Sequence, residues 1–269
     1  IKPHVGLSNK PGDLDEGDCQ IIDTLPLDYS ILDEISYKYE MSDAYYAYLT
    51  RGCIRKCAFC AVKTLEPEYN DYIPLKERID EVNKLYGPQR DLLLMDNNVM
   101  ASKSFDKIID EIVECGFGAG ATYVEPDKLG LSIKNLVDGI NDRAYKRKAQ
   151  ALLISYMESI KDKEKSYQVY KTFDDLHILK LETSTKEALI EGYNRIKEDY
   201  DKTLHNRRPR KRRVDFNQGV DARLFTPHMA SQFARIAISP LRIAFDDLHI
   251  KDTYIKALKM SAEAGIKNF

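Results

Sequence analysis

The chain has 269 residues, 43 % hydrophobic and 31 % charged, with five cysteines and a net charge of −2. This is an ordinary globular composition, with no global pull toward nucleic acid or anionic membrane and no run of 18 apolar residues to mark a membrane span. An odd, sparse cysteine count without a secretory leader argues against a disulfide framework and points to a reducing, cytoplasmic setting.

Residues 1–43 read as an extended lead-in, rich at first in Asp, Gly and Pro. The aromatic run 44–50 is β-prone and feeds directly into a cysteine-rich loop. Apolar residues at 75, 79, 82, 85 and 86 have helical spacing, and Gly87-Pro88 stops that helix. Leu92 to Met95 is an all-apolar run expected of a strand buried on both faces, ending at Asp96-Asn97-Asn98. Residues 104–115 predict a second helix closed by Gly116.

The rhythm then breaks. Residues 127–212 contain helical stretches near 131–160, 164–174 and 185–203 without a strand core, and read as a helical insertion. It ends on Arg207-Arg208-Pro209-Arg210-Lys211-Arg212-Arg213. Beyond it come a strand at 214–218, a helix from Thr226-Pro227 with Thr226 as N-cap, a strand at 241–245 and a helix to about 264. Strands alternating with helices predict a parallel α/β sheet over 44–126 and 213–269. The chain begins at Ile1 and ends on what reads as a helix stop and an opening strand, the pattern expected of a piece of a longer polypeptide.

Cys53, Cys57 and Cys60 stand in Thr-Arg-Gly-Cys-Ile-Arg-Lys-Cys-Ala-Phe-Cys, a Cys-x3-Cys-x2-Cys spacing. Three thiolates in one short loop can bind three irons of a [4Fe-4S] cluster and leave the fourth open to another ligand. Structural zinc prefers two separated pairs, whereas the close pairs here share Cys57; Cys19 and Cys115 are distant in sequence. With Phe59 before the last cysteine, the motif resembles that of the radical S-adenosylmethionine (radical SAM) superfamily. The resemblance implies a partial (βα)6 TIM-like barrel with the cysteine loop after its first strand. It also implies S-adenosyl-L-methionine on the open iron, its reductive cleavage to a 5′-deoxyadenosyl radical, and a reductant such as flavodoxin or ferredoxin. The reaction type and substrate stay open, because fold does not fix chemistry.

In such barrels function gathers at the C-terminal ends of the strands. Asp96, Asn97 and Asn98 stand where family members often carry a Gly-Gly-Glu type motif; they offer oxygen acceptors for an ammonium, or form a plain turn. Asp-Phe-Asn-Gln-Gly-Val-Asp-Ala-Arg resembles a segment of some family members, which places Gln218 and Arg223 near the ribose or the methionine carboxylate, with Asp221 beside them. Strand alternation would turn Asp215, Asn217 and Gly219 inward, where a cofactor could meet their polar needs. The competing reading is an Asp221–Arg223 ion pair. Asp246, Asp247 and His249 suit either substrate contact or helix capping, and Arg51 and Lys56 would favour thiolates beside them. The basic run can bind phosphates, but a solvated linker balanced by Glu198, Asp199 and Asp201 is preferred. The alternative function is a non-catalytic iron–sulfur or zinc module, with the basic run as a nucleic-acid adaptor.

Overall fold

The computed structural model describes residues 26–35, 37 and 41–269; most of the lead-in, and Cys19, lie outside them. The strands are β1 (Ala44–Ala47), β2 (Asp91–Leu94), β3 (Thr122–Tyr123), β4 (Arg210–Lys211), β5 (Val214–Phe216), β6 (Val220–Asp221) and β7 (Ile243–Ala244). The helices are α1 (Val62–Leu65), α2 (Lys76–Tyr86), α3 (Phe105–Ile112), α4 (Lys128–Val137), α5 (Asp142–Ser159), α6 (Lys163–Asp175), α7 (Lys186–Leu204), α8 (Pro227–Ala234) and α9 (Lys251–Glu263).

β1, β2 and β5 form a parallel sheet in that order, with Tyr45 opposite Leu92 and Leu93 opposite Asp215. The apolar run of β2 makes it the central strand, and Leu92 and Leu94 are fully buried between its neighbours. Ile238 bridges Val214 in parallel, and β6 pairs with β7, so the chain keeps adding parallel neighbours after β5. The 241–245 strand is shorter than expected, Ile243–Ala244. Leu241 N–H donates to the carbonyl of Asn268 (2.9 Å), which brings the last residues alongside. Connections through α2 and α3 cover the sheet: Ile79 and Val82 of α2, and Phe105, Ile108, Ile109 and Ile112 of α3, enter the same core as Phe216 and Phe233. Gly87, at φ 78°, ends α2 in a conformation favouring glycine. Thr226 caps α8 through Met229 N–H, as its sequence position predicts.

The insertion builds a second core around Leu136, Tyr145, Phe173, Leu189 and Ile196. The stretch at 131–160 is two helices, α4 and α5, rather than one: Gly139 (φ 71°) and Asn141 (φ 40°) reverse the chain, and Asn141 caps α5. Asp127, Asp162 and Thr185 cap α4, α6 and α7 in the same way. β3 and β4 pair antiparallel at the neck where the insertion leaves and rejoins the sheet unit. Among the described residues no helix is long and apolar enough to cross a membrane.

Candidate functional site

The cysteine loop leaves the C-terminal end of β1 and is tied to the end of β2. Asp96, 1 % exposed, accepts on Oδ1 from Leu49 N–H (2.9 Å), Thr50 N–H (2.5 Å) and Thr50 Oγ1 (2.8 Å). Burial pushes its carboxyl up to about 6, against the lowering effect of those bonds. Glu66 forms a second tie. Its carboxylate accepts from Gly52 N–H (2.8 Å) and Asn97 Nδ2 (2.9 Å) and pairs with Arg51 (2.8 Å). Arg51 also lies 4.1 Å from the Tyr48 ring centroid and is committed to this neck. Gly52 has φ 75°, and a Cβ there would fall 2.2 Å from the carbonyl oxygen of Glu68. Only glycine lets the chain enter the motif this way.

Within the loop, Cys53, Cys57 and Cys60 are half-buried free thiols. Cys53 Sγ accepts from Arg55 N–H (3.3 Å) and Asn98 Nδ2 (3.5 Å), and Cys60 N–H donates to the Cys57 carbonyl (3.1 Å). Tyr69 OH donates to the carbonyl of Asn98 (2.9 Å). Among the described residues no three Cys, His, Asp or Glu side chains stand close enough together to hold a metal ion. Phe59 projects outward, 73 % exposed.

A clasp joins the loop to β6. Asp221 accepts from Arg55 Nε (2.8 Å), Arg223 Nε (2.6 Å) and Arg223 N–H (3.0 Å). Burial raises the Asp221 carboxyl, but the bonds from Arg223 and Arg55 outweigh it and hold the group below the usual carboxylate range. Arg223 is raised by Asp221 and, secondarily, by the Cys57 side chain beside it. The Asp221–Arg223 ion pair is therefore present, and it holds the cysteine loop as well as itself.

Other expectations change. Asp215 is buried, yet its partner is protein: Arg242 meets it bidentately at 2.9 and 3.0 Å. Asn217 is exposed rather than turned inward, because β5 ends at Phe216 and the chain turns at Gly219; Gln218 beside it is exposed too. Asp247 caps the turn Leu248–Ile250 through His249 N–H, and Asp246 and His249 are exposed. The basic run is not a solvated linker throughout. Arg213 grips buried Asp91, Arg207 donates to the carbonyls of Glu125 and Pro126, and the Arg212 guanidinium stacks 4.4 Å from the Phe117 centroid. The acids expected to balance the run are engaged by lysines instead: Asp199 by Lys165 and Lys202, Glu198 by Lys202, and Asp201 by Lys197.

Sequence reading missed Glu66, Thr50 and Arg55 as positioning residues. Arg55 lies inside the motif and carried a usable signal; Glu66 carried none. Against known proteins, no family model, curated protein or solved structure matches the chain.

Proposed function

We propose that this chain is a radical SAM enzyme. The observation that carries the reading is a loop of three free thiols, at Cys-x3-Cys-x2-Cys spacing, fastened to the C-terminal end of a parallel strand. Two fully buried acceptors beside it, Asp96 Oδ2 and Asn98 Oδ1, have no hydrogen-bond partner. Orphaned buried acceptors are costly and suit a cationic or N–H donor arriving with a ligand. These two acceptors fit the ammonium of S-adenosyl-L-methionine, and the three thiols would have to draw closer together to hold a cluster.

Cys53, Cys57 and Cys60 would hold a [4Fe-4S] cluster, with Asn98 donating to the Cys53 sulfur. Arg55 and Arg223, held by Asp221, would place positive charge beside the thiolates and the anionic end of S-adenosyl-L-methionine. Asp96 and Asn98 would accept from its ammonium, with Asn97 held behind them by Glu66. Asp96 and Glu66 fix the loop neck. When bound, the cluster supplies the electron, drawn from a small reductant protein such as flavodoxin or ferredoxin, that cleaves S-adenosyl-L-methionine to methionine and a 5′-deoxyadenosyl radical. Phe59, Gln218 and Asn217, exposed on this side of the chain, would contact the adenosyl group or substrate. The protein's share of the work is orientation and exclusion of water.

The test is anaerobic reconstitution with iron and sulfide. The reading expects about four irons and four sulfides per chain, an electron-paramagnetic signal after reduction that shifts on adding S-adenosyl-L-methionine, and loss of both in Cys57→Ala. A colourless protein holding zinc would reject it in favour of a non-catalytic module.

A further inference from the structure

A cleft of about 500 Å³ lies where the sheet unit meets the insertion. Its walls include Asp43, just before β1, and Pro88 and Gln89, just before β2. It therefore opens at the N-terminal ends of the strands, whereas the cysteine loop leaves their C-terminal ends. The proposed radical chemistry makes no use of it.

The charges of the cleft are uneven in their pairing. Asp33 is paired with Lys148 (2.7 Å); Asp43 and Glu125 share Lys128 (3.3 and 2.8 Å). Burial raises the Glu125 carboxyl, but Lys128, Arg210 and Arg207 outweigh it and keep the group ionised more firmly than usual. Four cations line the cleft against three acids, which leaves one positive charge in excess. Arg147 of α5 and Arg210 of β4 both line the cleft, and among the described residues neither has an ion-pair partner. Arg210 belongs to the basic run, whose other arginines at 207, 212 and 213 are bound up in structural contacts. Two guanidinia lining one cleft offer an entering anion two forks of N–H donors. Tyrosines stand among the apolar residues of the wall: Tyr86 is half-buried, Tyr145 is buried, and Tyr37 is 68 % exposed. The volume falls within the range of small-ligand sites.

The geometry points to a second ligand site here, for a nucleoside phosphate whose phosphate lies between Arg147 and Arg210 and whose base packs on the tyrosine wall. Guanidinium forks match phosphate oxygens, and aromatic faces take bases without regard to sequence. The same unit could come from a free nucleotide or from a single-stranded RNA.

Calorimetric titration of the full chain with UMP, inorganic phosphate and a uridine decamer tests this. UMP is chosen because it lacks the adenine of S-adenosyl-L-methionine. UMP should bind, and Arg147→Gln and Arg210→Gln should each weaken it by roughly tenfold to a hundredfold. Cys57→Ala should bind UMP like the unaltered chain, which separates this site from the cysteine loop. Both arginines are at least partly exposed, and among the described residues neither side chain makes a hydrogen bond or ion pair, so unchanged melting temperatures should accompany the loss. A decamer bound more than tenfold tighter than UMP assigns the unit to RNA; equal affinity assigns it to free nucleotide. No UMP binding, binding unchanged in both arginine variants, or inorganic phosphate bound as tightly as UMP would overturn the proposal.

Discussion

Asp96→Asn separates charge from hydrogen bonding at the neck of the cysteine loop. The carboxyl is buried, with one oxygen satisfied by Leu49 and Thr50 and the other without a partner. Burial moves it from 3.8 to about 6. A gap of about two pKa units corresponds to roughly 3 kcal/mol by which ionisation is less favourable in the folded chain than in the unfolded one. Because the folded pKa is the higher, the folded chain binds more protons than the unfolded chain between pH 4 and 6. The contribution of this group to stability is therefore full below about pH 4 and falls as pH rises through 6. Asparagine keeps an oxygen acceptor for the same backbone donors and cannot ionise. Urea unfolding of both proteins at several pH values from 4 to 7.5 gives a difference curve in which other carboxylates cancel. The stability of the parent chain minus that of the variant should fall by about 3 kcal/mol across that range. A flat difference curve, or one that rises with pH, would refute the reasoning.

Asp221→Asn should loosen the clasp, losing about 1–2 kcal/mol once the partial exposure of both arginines is discounted. Trypsin should then cut after Arg55 faster than in the parent; an unchanged cutting rate would mean that the loop is held elsewhere. Gly52→Ala forces a Cβ into the Glu68 carbonyl at positive φ and should cost about 2 kcal/mol or more in urea unfolding. Arg242→Ala leaves the buried Asp215 carboxylate unpaired and should destabilise by about 2 kcal/mol at pH 7. Stability equal to the parent would show that Asp215 has other support.

Period and punctuation made most elements legible. The apolar run of β2, the spacing of α2, the glycine at 87 and the Thr226-Pro227 start of α8 each have a local physical cause, and each appears where its residues predict. The single stretch at 131–160 hid a reversal, because an Asn in the left-handed region resembles any other polar helix residue in one dimension. The strand at 214–218 was read too long. Its alternation continues through Asn217, but Gly219 turns the chain first and leaves Asn217 and Gln218 exposed. In the site, the cysteine spacing was visible because all three cysteines lie within eight residues. The fastenings were not. Glu66 reaches Asn97 across 31 positions, and Arg55 reaches Asp221 across 166. Only folding brings such pairs together. The basic run misled for the same reason, since charge alone does not show that Arg213 grips Asp91 or that Arg212 lies on Phe117.

The central claim is that Cys53, Cys57 and Cys60 support reductive cleavage of S-adenosyl-L-methionine. The most direct measurement is 5′-deoxyadenosine formed by the anaerobically reconstituted chain with dithionite and S-adenosyl-L-methionine, beside Cys57→Ala. The account predicts product from the parent chain and none above background from the variant. A chain loaded with its full iron and sulfide that forms no 5′-deoxyadenosine, or forms it equally well without Cys57, would contradict it.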